Sequence, residues 1–237
     1  MCGRFVQGLT SDEVSEFLSS VWSIPVLNYG TVETPNFNVS PSQTCSAAVA
    51  SSDNSEVEVR PLVWGVPSFT PPNRQPVRPI NARLETVSEK PTFRRLFDKH
   101  RCVLVADGYY EWGTSGQGPK TPYYFSRVDG LPLLLAGVWS PSKTEVDMPS
   151  FALLTTASSG VPARIHDRMP VMLLEDSAYE WIKRPINLAA SPASFSYNSD
   201  NLGMFRVSKK VNSPRYNGPD LIEPESEPEE VLFDSGS

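Results

Sequence analysis

The sequence is short of the residues on which metal centres, disulfide scaffolds and histidine-based catalysis are built. Its 237 residues include three cysteines, Cys2, Cys45 and Cys102, whose spacing fits no metal-ligand pattern, so neither a zinc site nor a disulfide framework is expected. Two histidines, His100 and His166, are the whole supply of imidazole for acid–base work. No apolar run is long enough to span a membrane, and no basic stretch followed by an apolar one opens the chain. These absences predict an intracellular protein in a reducing compartment, nuclear in a eukaryote or cytoplasmic in a bacterium, with no membrane partner and no cofactor. Basic residues also run out early, because no Lys or Arg follows Arg215.

That last absence changes the meaning of the net charge of −6. Beyond Arg215 stand Asp220, Glu223, Glu225, Glu227, Glu229, Glu230 and Asp234, one carboxylate more than the whole net charge, so residues 1–216 are left at about +1. The body does not repel a polyanion. Residues 218–237, rich in Pro, Ser and Glu, cannot bury a core and are expected to be a disordered acidic tail able to compete electrostatically for a basic surface. Residues 2–217 suffice for one domain with a substantial core, expected to be monomeric.

Along the chain, Thr10 and Glu13 have capping-box spacing, and Val14, Phe17, Leu18 and Val21 follow at helical intervals, predicting a helix over 11–22. A polar turn at Ser51–Ser55 between two apolar stretches predicts a hairpin. Five prolines within 67–79 mark an exposed loop carrying Phe69. Pro91 opens a short helix, and Cys102–Ala106 reads as a buried strand before Tyr109-Tyr110-Glu111-Trp112. Residues 122–128 and 133–138 are predicted to form another hairpin around Asp129-Gly130, and 176–183 a last helix. With strands outnumbering helices and no βαβ rhythm, the expected fold class is α+β, a single β-rich domain of mainly antiparallel sheet with a few flanking helices.

The most unusual chemistry lies at residue 2. Removal of Met1 leaves Cys2 with a free α-amine and a thiol, with reference pKa values of about 8 and about 8.5. Such an aminothiol condenses with one aldehyde carbon, first as a Schiff base and then as a five-membered thiazolidine ring. A frayed N-terminus with an incidental cysteine is the bland alternative. Glu111, between Tyr110 and Trp112, suits general acid–base work if apolar surroundings raise its pKa, or else points to solvent from an alternating strand. His166 lies in a loop where it can exchange protons or serve structure alone. Asn81 can donate to an oxyanion or simply make a turn. Arg4, Arg83 and Arg168 suit phosphates, but each has local acids such as Glu85 or Asp167 to pair with instead. Phe69 can stack on a base or pack beneath its own loop.

Together these residues resemble the SRAP family, the SOS-response-associated peptidases known as sensors of abasic DNA. The resemblance runs through Met1-Cys2-Gly3-Arg4-Phe5, Asn38-Val39-Ser40-Pro41, Trp64-Gly65, Ile80-Asn81-Ala82-Arg83-Leu84-Glu85-Thr86, Ala106-Asp107-Gly108-Tyr109-Tyr110-Glu111-Trp112 and Ile165-His166-Asp167-Arg168-Met169-Pro170, across residues 2–216. It implies a β-rich α+β fold and a thiazolidine crosslink between Cys2 and the opened aldehyde of an abasic site in single-stranded DNA. It further implies that Asn81 and His166 orient and protonate the opened sugar and that Glu111 is the acid–base group for forming and reversing the link. Arg4, Arg83 and Arg168 would take phosphates, and Asn38, Pro41 and Thr155 would line the DNA path. The loop carrying Phe69 departs from the family, which often has tryptophan there, so a preference for duplex junctions does not carry over. Two other functions fit the aminothiol or the cations: an N-terminal-nucleophile cysteine peptidase or amidase, in which the α-amine serves as base, and a module that grips single strands without a covalent bond.

Overall fold

The computed structural model describes residues 2–68, 77–114, 119–142, 147–183 and 196–225. In chain order the strands are β1 (Arg4–Gln7), β2 (Val26–Asn28), β3 (Asn36–Val39), β4 (Thr44–Ala50), β5 (Val57–Trp64), β6 (Asn81–Arg83), β7 (Arg101–Ala106), β8 (Gly108–Gly113), β9 (Thr121–Arg127), β10 (Leu133–Ser140), β11 (Ser150–Ala157), β12 (Arg168–Pro170), β13 (Met172–Leu173) and β14 (Leu202–Arg206). The helices are α1 (Ser11–Trp22), α2 (Pro91–Lys99) and α3 (Glu175–Lys183). This is the β-rich α+β architecture expected. No helix among the described residues is long and apolar enough to cross a membrane.

The strands form two sheets. One runs β14-β9-β8-β1-β3 and is antiparallel throughout. The larger runs β12-β11-β10-β7-β4-β5-β2, with β13 on β10 and β6 on β11. An added parallel pairing of β5 with β11, Val63 opposite Ser150 and Trp64 opposite Phe151, joins β5, β4, β7, β10 and β11 into a closed ring of strands. Closure removes the exposed edges that an open sheet of this width would carry.

Strand alternation divides the interior in two. Ala48, Val103, Val105, Leu134, Ala136, Ala152 and Leu154 face the three helices, where Val14, Leu18, Phe97 and Trp181 cover them. The alternate residues Cys45, Ala47, Cys102, Leu104, Leu135 and Leu153 share a second core with Phe5, Tyr109 and Phe125 of the smaller sheet. A strand buried on both faces needs apolar side chains at successive positions, hence the unbroken run Cys102–Ala106. Cys2 belongs to this second core, and that is how the fold positions the site.

Most elements lie where the sequence placed them. The Thr10 hydroxyl accepts the Glu13 N–H at 3.2 Å while the Glu13 carboxylate accepts the Thr10 N–H at 2.8 Å, starting α1 at Ser11. The β4–β5 hairpin forms across the Ser51–Ser55 turn. Two expectations are corrected. The turn at Asp129-Gly130 exists, with Gly130 at φ 75° and Asp129 accepting from Arg127 at 2.9 and 2.6 Å, but β9 and β10 do not pair. Each pairs elsewhere, β9 on β8 and β14 and β10 on β7 and β11, so this turn carries the chain from one sheet to the other. The acidic segment does not become disordered at 218 either. Pro219–Ile222 forms a 3-10 turn with Leu221 fully buried, and Asp220 accepts from the Tyr216 hydroxyl at 2.7 Å and from Lys210 Nζ at 2.9 Å. One buried leucine and a satisfied carboxylate are enough to dock a segment whose composition alone reads as disordered. The acidic residues Glu227, Glu229, Glu230 and Asp234 lie outside the described residues, as does Phe69.

Truncation after Asn217 is therefore expected to destabilise the domain relative to truncation after Glu225. Exposing the Leu221 pocket costs about 2 kcal/mol or more. Urea unfolding checks this, and coincident midpoints for the two truncations would contradict it.

Candidate active site

Residue 2 is held inside the protein because β1 is an interior strand. β1 pairs with β8 through Arg4–Tyr110, Phe5–Tyr109 and Val6–Gly108, and with β3 on its other side. Phe5 packs on Trp64 with ring centroids 5.1 Å apart, and Trp64 stacks on Phe151 at 6.0 Å. Cys2 is fully buried. Desolvation pushes its thiol up to about 12, the neighbouring Glu111 carboxylate adding to the rise. A frayed N-terminus with an incidental cysteine does not describe this residue.

Asn81 reaches Cys2 from the other sheet. The Trp64 indole N–H donates to the Ile80 carbonyl at 2.9 Å, and Asn81 lies opposite Leu153 of β11. So fixed, the Asn81 Nδ2–H donates to the Cys2 carbonyl at 2.8 Å. Its Oδ1 is buried and has no partner among the described residues, which leaves one acceptor turned into the site. Glu111 is buried at 6% exposure rather than pointing to solvent, and its Oε1 accepts the Trp112 N–H at 3.2 Å.

His166 follows a 3-10 turn at Pro162–Arg164 and is held by its own N–H to the Pro162 carbonyl at 3.1 Å. Its loop packs onto the end of β8. A Cβ on Gly113 would come 3.2 Å from the Ile165 side chain, so glycine at 113 permits the close approach that draws His166 toward the strand of Glu111. The Arg168 N–H donates to His166 Nδ1 at 3.0 Å, and Asp167 Oδ1 lies 2.8 Å from the same nitrogen. The first contact needs Nδ1 bare and the second needs it protonated. With Nδ1 accepting from the Arg168 N–H, the neutral ring carries its proton on Nε2.

The three arginines have different fates. Arg4 donates at 2.7 Å both to Asn38 Oδ1 and to the Val211 carbonyl. Arg168 forms a two-pronged pair with Glu85 at 2.7 and 2.9 Å and also donates to the Thr155 carbonyl at 2.7 Å. That pair holds the Glu85 carboxyl down to about 2, so it stays ionised across the neutral range. Arg83 is exposed and makes no side-chain hydrogen bond or ion pair with another described residue. It borders a cleft of about 290 Å³ that opens beside Asn81 and takes in Thr86, Lys90 and Phe93. Sequence reasoning missed Lys90, which belongs to no local motif and borders the cleft from the position just before α2.

Two residues expected to line a ligand path are buried. Asn38 is 1% exposed, and its amide group is consumed by Arg4 and by the Val211, Ser213 and Tyr216 carbonyls. Thr155 is fully buried in β11, its hydroxyl against the Ala82 carbonyl at 3.4 Å. Both brace residues that do border the site. Pro41 is exposed at a turn before Ser42.

The family sequence model for the SOS response associated peptidase (SRAP) matches residues 1–214. The chain belongs to the SRAP family. Among its relatives, the abasic site processing protein YoqW of Bacillus subtilis (strain 168) is 32% identical over 229 residues, 94% of this chain and 99% of that protein. The abasic site processing protein YedK of Escherichia coli (strain K12) is 29% identical over 231 residues, 94% of this chain and 100% of that protein. A crystal structure of a protein from Bacteroides thetaiotaomicron has the same fold, with a TM-score of 0.74 at 21% identity, covering 94% of this SRAP chain and 100% of its own. All the blocks that carry the site, from Cys2 to Arg168, fall within the SRAP match.

The burial of all three cysteines has a direct consequence. While Met1 is retained, the folded chain is expected to resist iodoacetamide at about pH 7 under conditions that fully alkylate the urea-unfolded chain, because thiolate is scarce at such raised pKa values. Rapid labelling of Cys2 in the folded chain, located by peptide mass, would contradict the site described.

Proposed function

We propose that this SRAP chain senses abasic sites in single-stranded DNA and joins itself to them through Cys2. Loss of Met1 exposes the α-amine, which attacks the aldehyde carbon of the ring-opened sugar and loses water to give the imine. The Cys2 sulfur then bonds to that same carbon, its proton passing by way of Glu111 to the imine nitrogen. The product is a thiazolidine in which amine and thiol share one carbon. Atoms balance with one water released, and the condensation consumes no cofactor. The link shields the lesion, and the same acid–base group run backwards releases it. The activity is lyase-like in its handling of the sugar, and the protein acts inside the cell as a monomer.

The observation that carries this reading is the Asn81–Cys2 hydrogen bond within a buried site shared with Glu111. A nucleophile whose own carbonyl is clamped presents amine and sulfur in fixed relation, and well-oriented intramolecular attack can reach effective molarities on the order of 10⁵ M or more. The relatives YoqW and YedK, both abasic site processing proteins, support the substrate class. Arg83 and Lys90 on the cleft beside Asn81 supply the cations a phosphate chain would need. Nothing in the site favours amide hydrolysis over this condensation.

Incubation with an abasic oligonucleotide, followed by denaturing electrophoresis and intact mass, tests the proposal. A heat-stable adduct is expected with abasic DNA alone, and none from Cys2→Ala or from a chain with Met1 retained. An undiminished adduct from Cys2→Ala would refute it. Glu111→Gln is expected to slow both formation and reversal by about 10² to 10⁴-fold, since one acid–base group serves both directions.

The Glu85–Arg168 pair generates a second expectation. Glu85→Gln releases the Arg168 guanidinium toward solvent, so non-covalent binding of single-stranded DNA should tighten at about 50 mM salt and converge on the wild type as salt rises. Fluorescence anisotropy across a salt titration measures this, and equal affinities at low salt would show that Arg168 takes no phosphate.

A further inference from the structure

Tyr109 stands at the site with a hydroxyl whose chemistry the foregoing leaves unused. Its side chain is 1% exposed and lies in the core that contains Cys2. It stands two residues before Glu111 on β8, hence on the same face, and directly opposite Phe5 of β1. Phe125 stacks on its ring with centroids 4.9 Å apart and planes 10° from parallel, which fixes where the hydroxyl points. That hydroxyl is buried and has no hydrogen-bond partner among the described residues. An unpaired buried phenol is costly, and phenylalanine would fill the same space without the cost. The ionisable groups whose charge it feels are Cys2 and Glu111.

We propose that the Tyr109 hydroxyl is a further functional group of the site, donating a hydrogen bond to the Cys2 sulfur while that sulfur carries negative charge on its way to the imine carbon. The inference rests on the crosslinking reading for its role in ring closure. A thiolate generated in a dry site beside a carboxylate needs a donor, and Tyr109 is a neutral O–H held ready in the same core. It gives up no proton. The thiol proton goes to Glu111 as before, and the phenol loosens its hydrogen bond once the sulfur is alkylated. One Asn81 N–H is already given to the Cys2 carbonyl, whereas the Tyr109 hydroxyl has no partner among the described residues. The other titratable groups to be reckoned with are Tyr123, opposite Glu111 on β9, Cys45 and Cys102 in the same core, the chain's own amino group, and His166 beyond Ile165.

The test uses the full chain with Met1 removed, verified by intact mass. The pH midpoint of Cys2 alkylation, read by peptide mass without DNA, should rise by about one unit in Tyr109→Phe, and ring closure on an abasic oligonucleotide should slow roughly tenfold. Its thermal midpoint should hold or rise, because an unpaired buried hydroxyl has gone. Incorporation of 3-fluorotyrosine at 109, a stronger donor of nearly the same size, should lower the alkylation midpoint. Unchanged midpoints in both variants would overturn the proposal, and the fluorotyrosine arm decides if Tyr109→Phe fails to fold. A wild-type chain that gave no adduct would refute the crosslinking reading instead, while the DNA-free midpoints would still judge Tyr109.

Discussion

The central constraint in this protein is the pairing of β1 with β8 in the interior of a sheet. A chain terminus is usually free to fray, because few contacts hold it and its backbone groups can turn to water. Here Arg4, Phe5 and Val6 are laddered to Tyr110, Tyr109 and Gly108, with β3 on the opposite side. Residue 2, two residues before the ladder begins, is carried into the core between the two sheets. The ladder therefore fixes the backbone leading into residue 2. Asn81 adds the last restraint from the opposite sheet, through a strand that Trp64 and Leu153 hold in place.

Burial of that kind has an electrostatic consequence. Removing Cys2 from water disfavours its thiolate, and placing Glu111 nearby disfavours it further. A site tuned only for nucleophilicity would set a cation beside the sulfur. This one sets a carboxylate there, an arrangement suited to receiving the thiol proton and passing it on rather than to storing a thiolate. The proposed chemistry and the resistance of the resting thiol share this one origin.

The arginines illustrate a division between building the site and serving it. Arg4 is committed to Asn38 and the Val211 carbonyl, and through them ties β1 to the segment at 211–216. Arg168 is committed to Glu85, joining the His166 loop to the turn after β6. Arg83 alone of the three projects outward, beside Lys90. Guanidinium groups satisfied from within position backbone accurately, and their pairing energy would have to be repaid before a phosphate could take them.

The sequence by itself determined the fold class, the capped α1, the β4–β5 hairpin, the doubly buried strand β7 and the SRAP blocks that hold Cys2, Asn81, Glu111 and His166. These are local signals: capping spacing, alternation, turn residues and short motifs, each read within a dozen positions. Tertiary structure alone decided what those residues touch. That Glu111 is buried, that Asn38 and Thr155 are buried with backbone partners, that β9 and β10 part into different sheets, and that Leu221 docks an acidic segment all depend on partners far away in the chain. The Asn81–Cys2 bond spans 79 residues, the Arg168–Glu85 pair 83 and the Asn38–Tyr216 bond 178. A side chain's local pattern states what it can bond to. Only the packing of distant strands sets which partner arrives, because satisfying buried polar groups is a property of the assembled core and not of any one segment.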